Sequence, residues 1–153
     1  MLKKIPAMLL TAALLTGSVA ATAAFAQTAP VQQQKIQVNL NEKELVFPQD
    51  VVTENGVAYV NASTLAIALG GTAAWDTMKE SLLIAKDNTY ALRMYKNSTF
   101  AYKNGKETRV PNPPRQTTGA VLVPLVYIAQ ELGAEVTYDE NSRTYNLSIA
   151  VEK

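Results

Sequence analysis

The chain contains no cysteine and no histidine. Without thiols there is no disulfide and no cysteine nucleophile. Without imidazole there is no side chain whose ordinary pKa lies near neutrality, and no Ser–His or Cys–His catalytic pair. The usual nitrogen and sulfur donors for a transition metal are missing as well. Charge of one sign is also lacking: 14 Lys and Arg stand against 13 Asp and Glu. That balance argues against a nucleic-acid partner, which requires a basic surface to displace counterions from phosphates. Apolar runs are short throughout, so none suits a hydrocarbon layer about 30 Å thick.

The N-terminus carries an export pattern. Lys3 and Lys4 precede the apolar run Met8 to Leu15, and small residues lead to Ala24-Phe25-Ala26. This matches a signal peptide over residues 1–26, cleaved between Ala26 and Gln27. Thr11, Thr16, Gly17 and Ser18 interrupt the run too early for a membrane anchor. No cysteine is present to take a lipid, so a lipoprotein is excluded by chemistry. Cleavage removes Lys3 and Lys4 but no carboxylate, so acidic side chains outnumber basic ones by one over 27–153. The expected location is secreted or cell-surface associated, with no membrane span after signal removal. An exported chain without disulfides must be held by its hydrophobic core, which a chain of this length can build. Residues 27–35, rich in Gln with Pro30, read as a disordered leader.

The rest of the chain repeats. The stretch 38–85 can be laid on 101–148 without a gap, and ten positions are then identical. They include Asn41/Asn104, Pro48/Pro111, Gly56/Gly119, Leu69/Leu132, Gly70/Gly133 and Asp76/Asp139. The matches fall on turn and core positions in the same order, which points to duplication. In the second copy Ala120 to Val123 reads as a strand, followed by Pro124. Leu125, Ile128, Ala129 and Leu132 then form one apolar helical face, closed by Gly133. Glu135 to Tyr138 and Thr144 to Val151 read as strands around a turn at Asp139. In the first copy Val57 to Val60 is the strand, and Asn61 or Ser63 caps a helix bearing Leu65, Ala66 and Leu69. Ahead of each helix lies a hairpin: Ile36 to Leu40 with Leu45 to Phe47, and Ser98 to Tyr102 with Thr108 to Val110. Asn104-Gly105 is the plainest turn signal.

The expected fold class is α+β, with two tandem copies of a small antiparallel sheet, each packed on one short helix of about nine residues. The first repeat is assigned to 36–88 and the second to 89–153, with 36–153 as one continuous domain the alternative. Tyr90 to Tyr95 is a strand at the junction.

The segment LVPLVYIAQELGAEVTYDENSRTYNLSI, spanning 122–149, resembles the repeat of the copper amine oxidase-like N-terminal domain, also called the stalk domain. The resemblance rests on Asn104-Gly105-Lys106, Val123-Pro124-Leu125, Glu131-Leu132-Gly133-Ala134 and Val136-Thr137-Tyr138-Asp139. Leu69-Gly70 and Trp75-Asp76 carry it in the first copy. Val126 stands where the family usually has arginine, and Asn61 where it has proline. The resemblance implies an accessory module of secreted and surface proteins in Gram-positive bacteria, separate from the oxidase catalytic domain. The oxidase itself needs three histidine ligands for copper and a tyrosine inside Asn-Tyr-Asp/Glu. Here no histidine exists, and Thr137 precedes Tyr138-Asp139.

The chain is therefore read as non-enzymatic and without cofactor. Asp76, Glu80, Asp139 and Glu140 could in principle supply a carboxylate pair for hydrolysis, but Asp76 and Asp139 begin matching turns, a role that accounts for both. They lack the ligand density of a calcium loop. Trp75 and Tyr138, at equivalent places, are expected in the core. Tyr59 and Tyr127 are the candidates for a binding surface, with Arg115 at the tip of a polar loop spanning Val110 to Thr118. The expected partner is a cell-wall polymer or envelope protein. A secreted inhibitor or ligand-binding protein reaching a soluble target through that loop is the rival reading.

Overall fold

The computed structural model describes residues 34–151. The expected signal peptide, with its Ala26–Gln27 junction, lies outside the described residues, as does most of the leader.

The chain opens with a hairpin of β1 (Gln37–Leu40) and β2 (Lys43–Glu44), and then a second of β3 (Val52–Glu54) and β4 (Val57–Asn61). Helix α1 (Ala62–Ala68) and the hairpin β5 (Thr72–Asp76) and β6 (Ser81–Lys86) follow. After β7 (Tyr90–Tyr95) the succession recurs as β8 (Phe100–Lys103), β9 (Lys106–Arg109), β10 (Arg115–Thr117), β11 (Ala120–Pro124), α2 (Leu125–Glu131), β12 (Glu135–Asp139) and β13 (Thr144–Ser148). The two series keep one constant offset from end to end. Gln37 opens β1 as Phe100 opens β8, Ala62 opens α1 as Leu125 opens α2, and Ser81 opens β6 as Thr144 opens β13.

The fold class is α+β, with strands predominating. The expectation that each copy builds its own antiparallel sheet is corrected. Three sheets form, in the orders β12-β13-β1-β2, β10-β11-β4-β3 and β5-β6-β7-β8-β9, and each draws strands from both halves. One pairing is parallel: β1 lies beside β13, with Gln37 opposite Thr144 and Leu40 opposite Leu147. At the centre of another sheet, β4 and β11 run antiparallel, with Val60 opposite Val123. A two-stranded hairpin is marginal in water, so these short hairpins gain a third and fourth strand from the other half. The 88/89 boundary falls in the turn between β6 and β7, which pair along their whole length from Ser81 opposite Tyr95 to Lys86 opposite Tyr90.

The helices are seven residues each, shorter than expected. Asn61 caps α1 by accepting from the Thr64 N–H at 3.0 Å. Pro124 occupies the equivalent place in α2 and offers no side-chain cap. Such helices are unstable alone and depend on their apolar faces. Leu65, Ala66 and Leu69, and Leu125, Ile128, Ala129 and Leu132, are all buried in one core with Val60, Leu82, Ile84, Leu92, Met94 and Val123. Helix α1 packs on β5 and β11, and α2 on β12 and β4, so each helix touches the other half. At the end of α1, Gly71 passes so close to β6 that a Cβ would lie 2.7 Å from the Ala85 carbonyl oxygen.

A polar clasp reinforces the join. The Tyr90 hydroxyl donates to Glu131 at 2.8 Å, Lys103 Nζ lies 2.7 Å from the same carboxylate oxygen, and Lys86 donates to the Leu132 carbonyl at 2.9 Å. Burial first, then the Glu131 hydrogen bond and charge, hold the Tyr90 phenol well above its ordinary pKa.

Two short strands depart from the sequence reading. β3 was not anticipated, and β10 lies inside the segment read as a loop. Leu45 to Phe47, read as a strand, is irregular: the second strand of that hairpin is Lys43–Glu44.

Candidate functional site

The β4–β11 pair contributes to two related clefts. Each is built from the start of one central strand, the first turn of the helix joined to the other, and the hairpin that follows that helix. One is lined by Asn61, Ser63, Trp75, Gln116, Thr117 and Gly119 among others and encloses 310 Å³. The other is lined by Ala58, Pro111, Pro124, Val126, Tyr127 and Tyr145 among others and encloses 290 Å³. The constant offset between the two series of elements relates one lining to the other at Gly56/Gly119, Asn61/Pro124, Ser63/Val126 and Leu82/Tyr145.

The substitutions at those positions set the chemistry of each cleft. Side-chain hydroxyls and amides dominate the first, and none of its lining residues is ionisable. Asn61 is already committed: its Oδ1 accepts from the Thr64 N–H and hydroxyl, and its Nδ2 donates to Gln49 Oε1 at 3.2 Å. Thr117 donates to the Ala120 carbonyl. Ser63 and Gln116 are exposed. Trp75 is half-buried against the core, and its Nε1 is buried without a hydrogen-bond partner. A buried donor left in that state forfeits roughly 1–3 kcal/mol relative to a satisfied one.

The second cleft is apolar and aromatic. Burial pushes the Tyr127 phenol up, aided by the Glu131 charge, and does the same at Tyr145, aided by Tyr138. Both stay protonated across the neutral range. Tyr138, expected in the core, is instead 43% exposed and stacks on Tyr145 with ring centroids 4.4 Å apart. It lies near the end of edge strand β12, where the core no longer covers it. Trp75, its counterpart, does pack on the core.

The three residues proposed for a binding surface do not share one face. Tyr127 lines the aromatic cleft. Tyr59 is 2% exposed, so it is no surface contact: β4 is a central strand covered on both sides. Arg115 belongs to β10 and is not at a loop tip; its guanidinium lies 5.2 Å over the Tyr59 ring and 2.8 Å from Glu54. This stack seals Tyr59 and staples β10 to β3, on opposite edges of their sheet. Sequence reasoning offers Ser63 only as an alternative cap, a place Asn61 takes, and gives Gln116 no role, because isolated polar residues carry no local signal of facing a cleft.

Of the carboxylates considered for hydrolysis, Asp76 and Asp139 hold turns and Glu80 pairs with Lys96 at 3.0 Å. Asp76 Oδ1 accepts the Met78 and Lys79 N–H groups at 3.1 Å each, and Asp139 Oδ1 accepts those of Asn141 and Ser142 at 2.9 and 3.4 Å. The Ser142 hydroxyl first, then the Asn141 and Ser142 N–H groups, hold the Asp139 carboxyl below its ordinary pKa.

The model of the copper amine oxidase N-terminal domain family matches residues 27–147. The chain belongs to that family. No curated protein and no solved structure matches it. Copper does not fit the residues of this copper amine oxidase N-terminal domain. The chain has no imidazole or thiolate, and the described residues hold no cluster of three or more acidic side chains. No step through a metal or quinone follows from these groups. What the two clefts offer is hydrogen bonding on one side and aromatic contact on the other.

Proposed function

We propose that this protein is an exported, non-catalytic interaction module of the bacterial cell envelope, made of two tandem copies of one unit, that binds a wall polymer or an envelope protein. The observation that carries the reading is the lining of its clefts. Uncharged side chains line one and phenols kept protonated line the other, so both suit holding a ligand better than proton transfer. The duplication is supported by the constant offset between the two series of elements. Export is supported by residues 1–26 and by a family match that begins at Gln27, the residue expected after cleavage.

The test is retention. Purified protein is mixed with isolated cell-wall material and with envelope extract, and the bound fraction is measured after washing. Saturable retention is expected. Protein that stays in solution against both, while capturing a soluble target, overturns the reading in favour of a secreted inhibitor or ligand-binding protein. Turnover of a polysaccharide, lost in a folded Asp76→Asn or Asp139→Asn variant, overturns it in favour of a hydrolase.

A further inference from the structure

We propose that the polar cleft beside Trp75 is a binding site for an uncharged sugar unit of a glycan chain, with the Ser63 hydroxyl and the Gln116 amide as its hydrogen-bonding groups and the Trp75 indole as its wall. The proposal rests on the envelope reading only for the source of the glycan.

Three observations point the same way. First, no ionisable group lines the cleft. An anionic or cationic occupant would therefore be desolvated without a compensating charge. Second, the groups that remain are those a polyhydroxylated ring satisfies: the exposed Ser63 hydroxyl and the exposed Gln116 amide. A side-chain amide both donates and accepts, as does a hydroxyl, so each can meet a sugar hydroxyl in either orientation. Third, the half-buried Trp75 indole gives the cleft an apolar ring to set against the C–H face of a sugar. At 310 Å³ the cleft lies at the small end of the range for ligand sites, which starts at about 300 Å³. It is sized for a sugar unit and not for a folded partner.

The related cleft sharpens the argument. There Ser63 is replaced by Val126, Asn61 by Pro124 and Leu82 by Tyr145. At the first two positions the same backbone frame thus carries hydrogen-bonding groups in one copy and apolar ones in the other, while at the third the Tyr145 ring stands in place of the smaller Leu82. Packing of the shared frame alone does not account for the polar set.

Trp75 is the chain's single tryptophan, so its emission reports on this cleft alone. The intact protein is titrated with two neutral probes, maltotetraose and chitotetraose, and with a short uncharged Ser/Asn peptide. A saturable change in Trp75 emission with at least one saccharide is expected, with a Kd of about 1 mM or tighter. Gln116→Ala and Ser63→Ala change exposed side chains and leave the core intact. Each is expected to weaken binding about 2- to 10-fold, the equivalent of one hydrogen bond. Glu107→Ala, exposed on the opposite edge of the sheet that carries Trp75, leaves it unchanged. The inference is overturned if neither saccharide gives a saturable change, if only the peptide does, or if both variants bind as the parent does. Wall retention with a silent Trp75 sinks this inference and leaves the envelope reading standing. A responsive Trp75 without wall retention does the reverse.

Discussion

Replacing Glu42 by glycine is expected to stabilise the fold, and replacing Gly105 by glutamate to destabilise it by a similar amount. The two positions are the second residues of equivalent tight turns. Leu40 pairs with Lys43 around Asn41-Glu42, and Lys103 pairs with Lys106 around Asn104-Gly105. Both residues of each turn are left-handed, with φ of 47° and 68° in the first and 50° and 77° in the second. Asparagine tolerates that region, but glutamate gains nothing there, and its Cβ crowds the following carbonyl at a cost of roughly 1–2 kcal/mol. Glycine removes the clash while adding about 0.5–1 kcal/mol of chain entropy to the unfolded state. The net gain for Glu42→Gly is about 0.5–1 kcal/mol. Glu42 is exposed, so no lost packing offsets it. The turn asparagines do equal service in both turns: Asn41 Oδ1 accepts the Ile149 N–H and Asn104 Oδ1 the Ala91 N–H. The swap therefore compares like with like. In urea unfolding with an m-value of about 1.5 kcal/mol/M, the midpoint should rise by about 0.3–0.7 M for Glu42→Gly. It should fall comparably for Gly105→Glu, and the double exchange should return near the parent. An unchanged or lower midpoint for Glu42→Gly contradicts the left-handed strain assigned to Glu42.

Other perturbations probe the join between the halves. Glu131→Ala strips the Tyr90 hydroxyl of its acceptor and Lys103 of its partner, and should cost about 1–2 kcal/mol in the same unfolding assay. Asp50→Ala, whose pair with Lys35 lies in solvent, should leave the midpoint unmoved. Because Tyr90 is held above its ordinary value, its protonated form is the one the fold favours. Its contribution is complete below the unfolded value of about 10 and declines as pH rises beyond it. Tyr90→Phe should flatten the alkaline fall in stability by up to about 1.4 kcal/mol per pH unit, and an identical slope in parent and variant counts against the clasp. Gly71→Ala pushes a Cβ into the Ala85 carbonyl and should lower stability by about 1–3 kcal/mol; a wild-type melting temperature contradicts that contact.

Much of the local structure was readable in the residue pattern. The apolar face of α2 was visible because Leu125, Ile128, Ala129 and Leu132 recur at helical spacing, and all four are buried. The turn roles of Asp76 and Asp139 followed from their place after matching strands. β10 was missed because Arg115-Gln116-Thr117 has no apolar residue to alternate and is held by main-chain pairing to β11. β3 carried a usable signal that went unread, since Asn55-Gly56 is a turn of the same kind as Asn104-Gly105. Tyr59 was misplaced because a short strand buried on both faces looks, one residue at a time, like any other aromatic strand.

Turns, caps and helical faces depend on residues a few positions apart, so they follow from the order of residues alone, as do the match of 38–85 with 101–148 and the lack of thiol and imidazole. Which strand lies beside which was decided only by tertiary structure. β1 finds β13 across the length of the chain, and β4 finds β11, because hairpins this short cannot bury their apolar residues alone. The clefts inherit that dependence. Ser63 and Trp75 come from one half and Gln116 from the other, and only the shared core brings them to one cleft.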